Sequence, residues 1–321
     1  MKHYPIQKNI EITDEIYNVL HNIRKKRNFN SSQYIKEKIK LIRKYYKENK
    51  LEGAVVGLSG GIDSAVVAYL MVLALGKENV ICITLPSIKS GMSNVSDSIE
   101  RANKVMESLK VDKKIINMSP IINVILDEFK KNNLYGDNWA EGQLVAYART
   151  PVLYYITSVM SSLNKKYIIA GTTNLSEGAY LGYVGKASDG MVDIQVIADI
   201  HKSEVISVAE ELGIPRSILK TTPSGDMYDG RSDEEVFGAP YDFVELYMHY
   251  ISSKKEKQKK ILSSFNEYDL KVFNFYKKNL DKLHKFNKHK YKVGSPAYSL
   301  DIKDLIFFKK EKFGWGIFTY D

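Results

Sequence analysis

Between the apolar run Ala54-Val55-Val56 and a second apolar stretch from Ala65 to Leu75 the chain reads Gly57-Leu58-Ser59-Gly60-Gly61-Ile62-Asp63-Ser64. Adjacent glycines let a backbone close around an anion, and the two serines add hydroxyl donors. A helix beginning at the end of the turn would turn its unpaired N–H groups and its dipole toward the same point. That is chemistry for holding a phosphate. No lysine follows the glycines, so the turn is not a Walker loop, and it lacks the spacing of the dinucleotide-binding fingerprint. The plainer alternative is a tight turn in which Asp63 only caps a helix. A second carboxylate, Glu177, follows another short apolar run and, taken alone, reads more readily as a helix-start carboxylate on the surface.

These residues need elements to bring them together. Residues 31–48 place Ile35, Ile39, Ile42 and Tyr46 at helical spacing, with Ser31 or Ser32 available as a cap. The run at 54–58 has the continuous apolar character of a strand buried on both faces, and 63–75 reads as a buried helix ended by Gly76. The alternation then repeats: strand 79–85, helix from Ser93 to Leu109, strand 114–118, helix from Pro120 to Lys131, helix 141–162, strand 166–170, and a helix from Lys202 to Leu212. A loop rich in Pro, Ser, Gly and Asp (222–233) and a helical, lysine-rich C-terminal region complete the chain. The expected fold class is α/β, a doubly wound, Rossmann-like parallel sheet of about five strands with a helical C-terminal appendage and ligands at the carboxyl ends of the strands.

The 321 residues carry 47 basic and 38 acidic side chains, a formal net charge of +9, with 44% hydrophobic residues, which excludes disordered and fibrous classes. The longest apolar run, Ala65 to Leu75, is too short for a bilayer span, and the first ten residues hold no signal-peptide core, so a soluble, unexported, cytoplasmic protein is expected. The single cysteine, Cys82, lies in an apolar strand and reads as inert core. Much of the positive charge sits in two lysine-rich stretches, Lys254–Lys260 and Lys277–Lys292, which read as solvated helix faces. A nucleic-acid-binding module that uses them as a contact surface is the rival in that class, and a salt series would expose it.

The 57–64 turn resembles the SGGxDS signature of the N-type ATP pyrophosphatase (PP-loop) families, which cleave ATP to AMP and pyrophosphate. Among these, the later motifs are similar to the ammonia-dependent NAD synthetase family. They are Gly171-Thr172-Thr173-Asn174-Leu175-Ser176-Glu177, Gly182-Tyr183, Asp189-Gly190, Asp193-Ile194, Lys202, Pro223-Ser224-Gly225-Asp226, Asp233-Glu234 with Gly238 and Tyr241, and His289-Lys290. They fall in the family order over roughly residues 30–292.

The resemblance implies ATP-dependent amidation of deamido-NAD by ammonia through an adenylated nicotinate carboxylate, with release of AMP and pyrophosphate. It implies that Gly57, Leu58, Ser59, Gly60, Gly61, Ile62, Asp63 and Ser64 hold the ATP phosphates with help from Thr172, Lys202 and Ser224. Asp63 and Glu177 would bind magnesium, and Arg149, Lys186, Asp193, His289 and Lys290 would contact deamido-NAD. Lys202 would stabilise the departing pyrophosphate, and Asp189 is the candidate carboxylate to deprotonate ammonia. A homodimer is implied. With no segment that reads as an amidotransferase, nitrogen is expected as free ammonia or from a separate ammonia-supplying protein.

Departures from the family pattern gather on the acceptor side. The family usually has threonine at Gly185, glycine at Ser188 and Met191, alanine at Gly225, arginine at Pro151 and asparagine at Val145. Two rival functions therefore stay open, a PP-loop amide ligase or thiolase acting on another acceptor, and a nucleotide-binding protein that has lost the chemistry. Residues 1–292 are read as the synthetase-like domain and 293–321 as a C-terminal extension without an assigned role.

Overall fold

The computed structural model describes residues 11–87, 95–225, 230–290 and 298–300; Asp226 and most of the 293–321 extension lie outside them. The described chain runs α1 (Asp14–Arg27), α2 (Ser31–Glu48), β1 (Gly53–Gly57), α3 (Ile62–Leu75), β2 (Val80–Thr84), α4 (Val95–Leu109), β3 (Lys114–Ile115), α5 (Ser119–Lys131) and α6 (Asn138–Ser162). It continues through β4 (Tyr167–Gly171), a π turn (Glu177–Leu181), β5 (Ile194–Gln195), α7 (Lys202–Glu211), α8 (Arg216–Leu219), α9 (Asp233–Phe237), α10 (Tyr241–Ile251), α11 (Lys255–Leu262), α12 (Glu267–Asn287) and β6 (Tyr298–Ser299). Every strand pairing is parallel, in the order β3-β2-β1-β4-β5-β6. The doubly wound sheet expected from the alternation is present, and the segment left without a role contributes a strand at its edge.

Strand β1 shows why the sheet must be covered on both sides. Ala54 and Val56 pack into one core with α2, α3, α4 and α7, while Val55 points the other way into a core with α5 and α6. Side chains alternate across a strand, so a continuous apolar run requires two helix layers. The order reverses between β1 and β4, the place where open α/β sheets form a crevice at their carboxyl edge.

Several local expectations shift. Asn30, not Ser31 or Ser32, caps α2, its side chain accepting from Gln33 N. The buried face of α2 is Tyr34, Lys38, Ile42 and Tyr46, with Ile35 and Ile39 only partly covered, so the helix is rotated by about one residue to bury a lysine. The strand expected over 114–118 narrows to two residues. Helix α1, unread in the sequence, joins α9, α10, α12 and the π turn in a second apolar core around Leu20, Leu181, Phe243 and Phe273. The C-terminal helices thus pack directly behind the turn that carries Glu177.

Cys82 is buried, and burial pushes its thiol up to about 12, in keeping with inert core. The lysines of α11 are exposed, as a solvated face requires. Among the described residues no helix is long and apolar enough to cross a membrane.

Candidate active site

The phosphate-type loop sits where β1 hands over to α3. Gly61 occupies the N-cap position of α3 with no side-chain cap, so the first-turn N–H groups stay turned toward the loop. Asp63 lies inside the helix and does not cap it. The serines brace the loop from within: Ser64 Oγ accepts from Ser59 N at 3.3 Å and donates to Gly61 O at 3.0 Å, and Ser59 Oγ accepts from Gly61 N at 3.2 Å. Gly60 has φ +81°, and a Cβ there would lie 2.3 Å from Ser98 O on α4. Arg101 of α4 donates to Gly60 O at 3.0 Å. The glycine therefore answers a left-handed backbone and a neighbouring helix together.

Three strand ends converge on one nitrogen. Lys202, the first residue of α7, directs its buried Nζ to Asp63 Oδ2 at 2.5 Å and to Glu177 Oε1 at 3.1 Å. Asn174 Nδ2 donates to Asp63 Oδ1 at 2.9 Å, and Asn174 Oδ1 accepts from Glu177 N at 3.1 Å, so one side chain ties both acids. Tyr241 Oη lies 2.9 Å from Glu177 Oε1 and 2.8 Å from Asp233 Oδ2. A phenol has one proton to donate, so two ionised carboxylates cannot both be satisfied by it.

The charges follow from that crowding. Burial raises Glu177 to about 7, with the Lys202 charge opposing and the Asp63 and Asp233 charges adding to the rise. Burial also raises Asp233. Burial by itself would lower Lys202, but Asp63, Glu177 and Asp233 outweigh it and hold the ammonium protonated. Three carboxylates around one ammonium leave a net charge of −2 when all are ionised, so the cluster calls for a proton or a cation. Asp63 and Glu177 already converge on a single cationic atom. Among the described residues no group of three or more His, Cys, Asp or Glu converges as a metal cage. Two carboxylate donors with the rest supplied by phosphate oxygens and water is the arrangement magnesium favours. The donor set fits that ion.

The remaining expected residues fall around this centre in different ways. Thr172 follows β4 directly, and Ser224 lies in the exposed loop whose Pro223 carbonyl accepts from Asp233 N. Arg149, on α6, donates to Leu85 O at 3.2 Å just past β2. Asp193 turns its Oδ2 onto Ile169 N of β4 at 2.6 Å, a backbone-satisfying position at the start of β5. Asp189 accepts from Gly185 N and Ser188 Oγ within its own exposed loop. Lys290 Nζ bonds the carbonyls of Gly182 and Val184, and burial lowers it to about 8. Lys186 and His289 are exposed, and His289 Nδ1 lies 2.9 Å from Phe286 O.

The departures have local reasons. A Cβ at Gly185 would lie 2.2 Å from Ser188 Oγ, so the serine hydroxyl takes the space beside residue 185. A Cβ at Gly225 would lie 2.8 Å from Tyr183 Oη, which explains the missing alanine. Pro151 lines an apolar groove of about 420 Å³ with Ile116, Ile121, Ile125 and Tyr155 between α5 and α6. Nothing in the structure explains Met191. Asn174 and the Tyr241 hydroxyl went without a role in the sequence, although both lie inside quoted motifs, because only folding reveals which neighbours a motif residue meets.

Comparison with known proteins is consistent along the chain. Residues 34–294 match the family described as NAD synthase. A protein of Methanococcoides burtonii named NH(3)-dependent NAD(+) synthetase is 39% identical over 201 residues, 63% of this chain and 72% of its own. One of Pyrococcus furiosus with the same name is 32% identical over 246 residues, 77% of this chain and 88% of its own. Among solved structures, the NMN synthetase of Francisella tularensis superposes with a TM-score of 0.65 at 25% identity, covering 83% of this chain and 98% of that one.

Proposed function

The chain belongs to the NAD synthase family, and from that membership and the site geometry we propose that it is an ammonia-dependent ligase that converts deamido-NAD to NAD at the expense of ATP. The observation that supports this reading most directly is the Lys202 ammonium held between Asp63 and Glu177 beside the glycine loop.

In the proposed reaction the triphosphate lies against the N-terminus of α3, in the 57–64 loop, with Thr172 and Ser224 as further contacts. A nicotinate carboxylate oxygen of the acceptor attacks the α-phosphorus, the bond from that phosphorus to the bridging oxygen of pyrophosphate breaks, and pyrophosphate departs. Loop N–H groups and Lys202 stabilise the charge that grows on the leaving oxygens. Asp63 and Glu177 would hold magnesium, which when bound supplies neutralisation of the phosphate charge. Ammonia then attacks the acyl carbon and AMP leaves with the acyl oxygen, while the nitrogen gives up a proton to Asp189, the carboxylate proposed for that step. Arg149, Lys186, Asp193, His289 and Lys290 are proposed to position the acceptor. Nitrogen comes as free ammonia or from a separate ammonia-supplying protein.

A homodimer is proposed as the working form. The α5–α6 face exposes Ile121, Val124, Tyr155 and Leu163, the last three at 69%, 70% and 62%, around the groove at Pro151. Exposed apolar side chains of this kind on two neighbouring helices are ones that a second copy would cover. A cytoplasmic location suits a chain whose single cysteine is an unpaired thiol.

A second reading concerns the acceptor. The superposition on an NMN synthetase and the altered 185–191 loop favour testing a mononucleotide acceptor beside deamido-NAD. Purified protein incubated with ATP, magnesium and ammonium plus deamido-NAD or nicotinate mononucleotide, with amide product, AMP and pyrophosphate measured together, decides both questions. ADP and phosphate as products would exclude the family reaction. Turnover driven by glutamine alone would show a nitrogen-delivery site outside those described.

A further inference from the structure

Lys202 can bridge two carboxylates only if the turn that launches α7 is held still, and that turn is anchored by a buried charge pair the proposed reaction does not use. Asp199, three residues before Lys202, accepts from Lys38 Nζ at 2.7 Å and from Tyr34 Oη at 2.9 Å, both from α2. Both side chains of the ion pair are fully buried. Lys38 Nζ also donates to the carbonyl of Leu300, the residue that follows β6. Leu300 N in turn donates to Gln195 O of β5 at 3.0 Å, so the end of β6 is held against β5 beside the lysine.

The two residues between Asp199 and Lys202 are tied as well. Ile200 O accepts from Leu175 N at 2.9 Å, and His201 N donates to Glu204 Oε2 at 2.9 Å. Glu204 is itself paired with Arg27 of α1. Ser176 Oγ accepts from Lys202 N at 3.2 Å, one residue from Glu177.

A buried ion pair is a poor way to add stability, because apolar side chains of the same volume serve as well or better. What it does provide is direction: a charge and its partners fix where a backbone sits. We propose that Lys38 and Asp199, with Tyr34 and the Leu300 carbonyl, form a positioning unit that sets the start of α7 and so the reach of the Lys202 ammonium into the phosphate site. The segment at 298–300, beyond the 34–294 family match, thereby takes part in holding the catalytic lysine.

This inference rests on the reading of Lys202 as the phosphate-facing cation, and the test keeps the two apart. Pyrophosphate exchange into ATP, dependent on the acceptor, is measured with full-length protein alongside thermal melting. Lys202→Met tests the underlying reading: wild-type exchange in that variant would remove the premise. Tyr34→Phe deletes one hydrogen bond to Asp199, and Tyr34→Phe/Lys38→Met/Asp199→Leu replaces the whole unit by apolar groups of similar shape.

Misplacement of a reacting group costs rate more than binding, so Tyr34→Phe is expected to lower kcat about three-fold and the folded triple variant about 30-fold or more, with KM for ATP changed less than about three-fold. Melting of Tyr34→Phe should stay near wild type. With Lys202→Met inactive, a folded triple variant that retains wild-type kcat would overturn the proposal. So would a Tyr34→Phe variant with wild-type kcat if the triple variant does not fold.

Discussion

The ammonium nitrogen of Lys202 stands 2.5 Å from Asp63 Oδ2 although 139 residues of chain separate the two. Asp63 lies in the first turn of α3 after β1 and Lys202 opens α7 after β5, so the contact is made beyond the end of β4, where the π turn that follows supplies Glu177. The parallel sheet brings three helix starts to one edge, and at that edge a single cation is shared by two acids. Because the acids outnumber the cation, the cluster calls for a proton or a further positive charge.

Asp63→Asn and Glu177→Gln should each lower acceptor-dependent pyrophosphate exchange by about 10²-fold or more, the scale for removing a charged partner at a transition state. The double variant should be little worse than either single one, since residues that act as a unit are strongly non-additive. Asp63 also neutralises the buried Lys202, so Asp63→Asn should cost about 1–3 kcal/mol in stability, read from denaturant melts. Near-normal exchange by Glu177→Gln at saturating magnesium would remove Glu177 from the shared-metal role.

The raised pKa of Glu177 sets a direction for stability against pH. In the folded protein the group titrates near 7, whereas an unfolded glutamate titrates near 4.5. Between those values the folded state holds a proton that the unfolded state has lost, so stability falls as pH rises through this window, by up to about 3 kcal/mol from this group. Glu177→Gln should flatten that slope in urea titrations between pH 5 and 8. Tyr241→Phe removes a donor that favours the ionised carboxylate, so any acid limb of the activity profile governed by Glu177 should move to higher pH. An unchanged slope in Glu177→Gln would show that the carboxylate titrates normally.

Gly60→Ala tests the loop. A methyl at φ +81°, 2.3 Å from Ser98 O, must displace either the loop or α4. ATP affinity is expected to fall about ten-fold or more, with a stability cost of about 1–3 kcal/mol. Equilibrium binding of a non-hydrolysable ATP analogue reads the first quantity, and wild-type binding would mean that the loop geometry is not what holds the nucleotide.

Tyr155→Glu, placed at the α5–α6 groove, should shift the assembly toward monomer in sedimentation velocity, because a carboxylate cannot be buried unpaired in an apolar interface. Wild-type sedimentation of this variant as a dimer would place the interface elsewhere.

Much of this protein is written in short stretches of sequence. The run Ala54-Val55-Val56, apolar at every position, could only be a strand covered twice, and glycines followed by a helix start could be read as a phosphate cradle from residue type alone. Both are local signals, since period, backbone freedom and helix polarity act within a few residues. What came from folding is everything set by distance in space. The burial of Lys38 depends on which face of α2 packs inward. The second tie between the acids, Asn174, is one polar residue in a motif of several until β4 is laid beside β1. Asp193 is one acid in a motif, and only in space does its carboxylate meet the N–H of Ile169. Gly185 and Ser188 read as unrelated residues until the serine hydroxyl is seen beside the glycine, where a Cβ would stand. Side-chain type and periodicity are properties of the chain, whereas which charges desolvate one another is decided only when strand order carries residues 63, 177 and 202 to the same edge.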